Sequence, residues 1–198
     1  MKRSQRLIFA LIVLLSVLAP RSNASAETAK EQLQGTLDRV VQVLRTIRSA
    51  EDIAKNKSLF RQILQTRFDF AAMAQRTLGN RWNELAGREQ EFIAAFTDFI
   101  EGAYMGTLGA YQGEAIIYEN DRAAGELAEV DTRVVGGRGA PIEVEYKLRR
   151  SGDEWKVYDV VIDDVSVISN YQSQFRRILQ KASLQELIKR LQGKTTGG

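Results

Sequence analysis

The amino-acid sequence predicts an α+β domain in which a curved antiparallel sheet of four strands is covered on one face by helices. Three observations predict it. Apolar residues recur at helical spacing from Thr28 to Tyr111, then in short strand-like runs through residues 113–162. In the clearest of these runs only one parity is apolar, so the sheet has a dry face and a wet one. The third observation is a change of phase. Trp155 and Val157 alternate with Lys156 and Tyr158, the pattern slips at Asp159, and Val160 and Ile162 carry the opposite parity. Such a slip marks a β-bulge or a sharp bend in mid-strand, and either lets a sheet curl.

The first element in chain order is an export signal. Lys2, Arg3 and Arg6 precede the apolar run Leu7–Ala19, Pro20 breaks it, and Ala24-Ser25-Ala26 offers a small-x-small cleavage site. The run is too short for a membrane anchor, and no cysteine follows it for lipid attachment. The expected organisation is a signal over 1–26 cleaved after Ala26, one domain over 27–192, and a frayed tail over 193–198. In a Gram-negative cell the product is periplasmic.

Leu33, Leu37, Val40, Val41, Leu44 and Ile47 form one face of a first helix over 28–48. A second is expected from Ser58 as N-cap, with Leu59, Phe60, Ile63 and Leu64 inside. Asp69 caps a third, carrying Phe70, Met73, Ala74, Thr77 and Leu78 and stopping near Gly79-Asn80; Trp82 falls in the connection. The longest helix is expected over 88–111, with Phe92, Phe96, Phe99, Ala103 and Tyr104 on one stripe. Ile93, Ile100 and Leu108 widen the stripe, and Glu91, Thr97, Asp98 and Glu101 lie opposite.

Strands are expected over 116–119 and 127–135, then a turn at Gly136-Gly137-Arg138-Gly139. Ile142, Val144, Tyr146 and Leu148 alternate strictly with Glu143, Glu145, Lys147 and Arg149. After Ser151-Gly152-Asp153 comes the Trp155 strand. Asp163-Asp164 and the apolar run Val165–Ile168 lead to a helix from Ser169 with Tyr171, Phe175, Ile178 and Leu179 on one face. A last helix starts at Ser183, where Ser183 and Glu186 can form a capping box.

Composition excludes whole classes of chemistry. With no Cys and no His, disulfides, His- or Cys-ligated zinc, Cys–His nucleophiles and Ser–His triads are ruled out. The formal charge of +3 misleads, because Lys2, Arg3, Arg6 and Arg21 leave with the signal and 24 basic residues then face 25 acidic ones. Nothing in that balance favours nucleic acid. Gly136–Gly139 lacks the Lys and the following helix of a phosphate loop. Asp159, partnered by Tyr146 or Tyr158, is the candidate for proton transfer in an enzymatic reading. Asp159, Asp163 and Asp164, however, gather at a bend, where Asp is favoured for turns. No catalytic residue, metal site or cofactor is expected.

The stretch WKVYDVVIDDVSVISNYQSQF resembles the strand–turn–helix of the MlaC family, the toluene-tolerance family of periplasmic phospholipid-binding proteins, including its hopanoid-associated relatives. Phe68-Asp69-Phe70, Met73-Ala74, Leu78-Gly79 and Trp82 extend the similarity, which runs from about residue 28 to about 192. Two positions depart from the family pattern: Asp163-Asp164 stands for an acid followed by Gly, and Gln172 for Arg. The resemblance implies a cone-like fold related to the nuclear-transport-factor folds, with an apolar cavity between helices and sheet.

It also implies a phospholipid cargo, or a hopanoid as the alternative, carried by a monomer between an outer-membrane lipoprotein–porin complex and an inner-membrane ABC transporter with MCE-domain subunits. On spacing alone the aromatic stripe of the long helix reads as core. The resemblance turns it, with the apolar strand positions, into cavity wall. The expected lipid-contacting residues are Phe70, Met73, Leu78, Trp82, Phe92, Phe96, Phe99, Tyr104, Leu108, Val144, Tyr146, Leu148, Val157, Val160, Val165, Val167, Tyr171 and Phe175. Arg76, Arg81, Arg149 and Arg150 are candidates for the lipid phosphate.

Overall fold

Two reciprocal capping boxes set the first two helices. In α1 (Ala29–Leu44) the Thr28 amide donates to Glu31 and the Glu31 amide to the Thr28 hydroxyl, at 2.8 and 3.2 Å. In α2 (Ala50–Gln65) Ser49 and Asp52 do the same at 3.0 and 3.2 Å. The second helix therefore begins nine residues before the expected Ser58, which is an exposed mid-helix position. At Ser49 the cap is reinforced, because Asp52 three residues on returns a bond to the Ser49 amide. The structure is a computed structural model that describes residues 27–108, 110–137 and 139–195. The expected export signal and the last three residues of the expected tail lie outside the described residues.

Helix α3 (Phe70–Leu78) is capped by Asp69, whose carboxylate accepts from the Ala72 amide at 2.8 Å. It ends at Gly79 (φ +55°), a left-handed position suited to glycine. A 3₁₀ segment (Gly79–Leu85) carries Trp82 into α4 (Glu89–Leu108).

Strands β1 (Ala115–Ala124), β2 (Leu127–Val135), β3 (Ile142–Ser151), β4 (Glu154–Ile162) and β5 (Val165–Ser166) form an open antiparallel meander in chain order. The sheet has five strands and not four. Asp163 and Asp164, at φ +44° and +65°, turn the chain in two residues, so Val165 pairs with Ile162 and Ser166 with Val161 before the helix starts. Strand β1 outlasts its expected 116–119 span because pairing continues past a register shift between Tyr118 and Asp121 into polar residues.

The expected bulge is present. Val157 pairs with Leu148 and Asp159 with Lys147, which leaves Tyr158 as the extra residue. Trp155, Val157, Val160 and Ile162 thereby share the face of Tyr146 and Leu148 despite their change of parity. The other face carries ion pairs, Arg122 with Asp131 at 2.7 Å and Arg133 with Glu119, and is wet.

Helix α5 (Val167–Leu179) starts two residues before the expected Ser169, because the Ser166 hydroxyl accepts from the Ser169 amide at 3.0 Å. In α6 (Leu184–Thr195) Ser183 caps as expected, accepting from the Glu186 amide at 3.2 Å, but the helix continues through Gly193, where fraying was expected. The segment 67–69 covers the edge of β4: Asp69 N donates to Val157 O and Val157 N to Arg67 O, both at 2.8 Å.

Candidate functional site

Small domains usually fill one contiguous core; this one has three clusters. The first joins α3, α4, α5 and α6, the second packs α1 on the inner face of the sheet, and the third joins α1 to α2. Where they meet lies an apolar recess of about 270 Å³. Helix α1 contributes Leu37 and Val40; α2 and its exit contribute Leu64 and Phe68. Helix α3 contributes Phe70 and Met73, and the second half of α4 contributes Ile100, Tyr104 and Leu108. The sheet adds Tyr146, Val160 and Ile162, and Val167 at the start of α5 closes the wall.

Local rules place these side chains. Phe68 and Met73 flank the Asp69 cap at the two positions of a hydrophobic staple. The Tyr158 bulge rotates Val160 and Ile162 to the inner face. Burial pushes the Tyr146 phenol up to about 12, and raises that of Tyr104 as well, so both stay neutral at physiological pH.

The expected contact residues divide. Phe70, Met73, Tyr104, Leu108, Tyr146, Val160 and Val167 line the recess. Phe92, Phe96 and Phe175 form a solid aromatic block with ring centroids 6.2–6.4 Å apart, and Trp82 meets the edge of Phe92. Phe99 and Tyr171 contact each other at 5.2 Å, and Leu78 is buried in the same cluster. Leu148 and Val157 are fully buried beneath α1. Val144 is buried with its carbonyl accepting from the Thr132 hydroxyl, and Val165 is 56% exposed.

One wall group was expected on the solvent side. Glu101 is 5% exposed and lines the recess, where both of its oxygens accept from Arg61, whose guanidinium also reaches Asp98. Hydrogen bonding to Glu101 raises the Arg61 pKa further. Thr97, expected beside it, is also buried, and its hydroxyl donates to the Ile93 carbonyl at 2.8 Å. Helical spacing separates faces but does not say that α2 packs across this one. The other wall residues outside the expected set, Leu37, Val40, Leu64, Phe68, Ile100 and Ile162, stood in apolar patterns of their own elements; choosing them needed the partner surface.

The expected phosphate ligands lie outside the recess lining. Arg149 pairs with Asp69 at 3.3 Å, Arg81 with Glu84 at 2.7 Å, Arg76 stacks 4.1 Å over Tyr158, and Arg150 donates to the Gly152 carbonyl. Asp159 is buried but occupied: it accepts from the Ser166 hydroxyl and from the amides of Val160 and Ile168. That is a capping role, and neither Tyr146 nor Tyr158 is among its partners. Among the described residues no cluster of three or more Asp or Glu is arranged to hold a metal ion, and no helix is long and apolar enough to cross a membrane.

Known proteins match this chain in sequence and in fold. The family described as MlaC protein matches residues 34–193. A Pseudomonas putida protein named toluene tolerance protein ttg2D is 26% identical over 178 residues, 86% of this chain and 81% of the relative. A Haemophilus influenzae protein, named intermembrane phospholipid transport system binding protein MlaC, is 29% identical over 123 residues, 59% of this chain and 58% of its own length. A phospholipid-binding protein from Ralstonia solanacearum, solved in complex with a phospholipid, superposes with a TM-score of 0.78 at 22% identity. The match covers 85% of this chain and 97% of that one.

Proposed function

The chain belongs to the MlaC family, and we infer that it is a phospholipid carrier whose apolar recess shields acyl chain from water. The observation that carries this reading is the recess itself: a hollow where three hydrophobic clusters adjoin, lined almost wholly by apolar side chains. The names of the relatives, a phospholipid transport binding protein and a phospholipid-bound structure, support it.

The energetics explain the need for such a protein. Each methylene is worth about 0.8 kcal/mol, so a chain of roughly sixteen carbons resists entering water by on the order of 10 kcal/mol. A dry slot of similar apolarity lowers that barrier with no covalent step. The recess is just below the range of roughly 300–1,000 Å³ typical of ligand pockets, so holding a diacyl lipid requires the walls to part. Met73 suits that role, because an unbranched thioether adapts to a shapeless ligand.

On this reading the export signal over residues 1–26 directs the chain to the periplasm. There it ferries lipid between an outer-membrane lipoprotein–porin complex and an inner-membrane ABC transporter with MCE-domain subunits, acting as a monomer and without catalysis. Solvent extraction of purified protein followed by mass spectrometry tests the reading, together with uptake of labelled phospholipid from vesicles. Phospholipid masses and saturable uptake are expected, and Val160→Phe, which fills the recess, should abolish uptake while the protein stays folded. An empty extract with no uptake would overturn the reading; a polycyclic lipid mass would replace the cargo with a hopanoid.

A further inference from the structure

We propose that the phosphate of the carried lipid is held outside the recess, in a second hollow, by Arg45 and Arg48. The proposal rests on the carrier reading above. The second hollow, about 500 Å³, lies between the α1–α2 connection and the segment that follows α4. Leu108 lines both hollows, and Leu44, one turn beyond Val40 of the recess, lines the outer one. Helices α1 and α4 thus both run from one to the other. Past their ends the wall changes from Val40 and Tyr104 to one that includes Arg45, Arg48, Ser49 and Gln112. An amphiphile has the same order, tail within and head without.

Charge supports the assignment. Near the recess Arg61 is neutralised by Glu101 and Asp98, and Arg149 by Asp69. Arg45 has no side-chain hydrogen bond or ion pair among the described residues. The Arg48 guanidinium donates only to carbonyls among the described residues, those of Arg45 at 2.7 Å and Ile47 at 2.9 Å, through a single nitrogen, which leaves its other donors available. The neighbouring acids are engaged by backbone amides: Asp52 by Arg48 and Ser49, Glu114 by Gln112. Two guanidinium groups without carboxylate partners suit a phosphate, which accepts paired N–H bonds.

The test compares uptake of a fluorescent phosphatidylglycerol with that of a diacylglycerol of the same chains, which has no phosphate. The unmodified protein is expected to hold the phospholipid at least about tenfold more tightly. Arg45→Ala/Arg48→Ala should remove that preference and leave diacylglycerol uptake unchanged. Arg45→Ala alone disturbs no bond of the fold and should lose several-fold in phospholipid affinity. Unchanged phospholipid affinity in both variants would overturn the head-group site while leaving the carrier reading standing; uptake of neither lipid by the unmodified protein would overturn both. Inorganic phosphate titrated alone separates the two sources of the anion. Saturable micromolar binding of phosphate that leaves lipid uptake unaffected would overturn the head-group assignment in favour of a free-anion site.

Discussion

Helix α4 has two halves that look alike in sequence and behave differently. Its first half sends Phe92 and Phe96, both fully buried, into a block closed by Phe175 and Trp82. Its second half sends Ile100, Tyr104 and Leu108 towards α1 and the sheet, and there the space is not filled. The difference lies in the partners. The first half packs on α6 and the aromatic face of α5, whereas the second faces Phe68, Phe70, Tyr146 and Val160 across the recess and is tied to α2 through Glu101 and Arg61. An apolar stripe shows which side of a helix leaves water and says nothing about whether its neighbours interlock.

That contrast can be broken by like-for-like truncation. Phe96→Ala should cost about 3–5 kcal/mol in urea unfolding, since it opens a cavity in close-packed surroundings. Phe70→Ala, beside a void where one side already lacks contacts, should cost under about 2 kcal/mol. Equal losses would mean that the recess side is as tightly filled as the block.

A second effect is confined to the hollow side. Arg61→Ala strands Glu101 in the oily wall, and should cost about 2–3 kcal/mol given the part exposure of Arg61. Adding Glu101→Leu should restore most of it, as a double-mutant cycle would measure; no recovery would show that Arg61 acts by packing alone. The smallest effect is at the β4–β5 turn. Asp164→Gly removes a side chain held at φ +65° and should raise stability by up to about 1 kcal/mol. A loss there would mean that the Asp164 side chain itself stabilises the turn.

Legibility followed the range of the interaction. The phase slip at Asp159, the Asp69 cap and the alternation of β3 were readable because each is settled within a few residues; that Tyr158 is the bulged residue came from the register. Strand β5 escapes the sequence pattern because two residues are too few for a period, and the second helix starts earlier than expected because its cap at Ser49 lies ahead of the apolar run that marks the helix. Of the recess, Phe70, Met73, Tyr104, Leu108, Tyr146, Val160 and Val167 were legible, and Leu37, Val40, Leu64, Phe68, Ile100, Glu101 and Ile162 were not. Arg45 and Arg48 likewise stand out as a pair beside the apolar wall only once α4 ends next to them.

The sequence alone determined the α+β class, the dry and wet faces, the bend in β4 and the family resemblance, because side-chain period and caps are local properties of the chain. Tertiary structure decided which apolar residues interlock and which border a hollow. It also decided that a glutamate faces inward against an arginine from another helix, and where unpaired cations meet the apolar wall. Those outcomes depend on the distance between elements far apart in the chain, and no short window of sequence contains it.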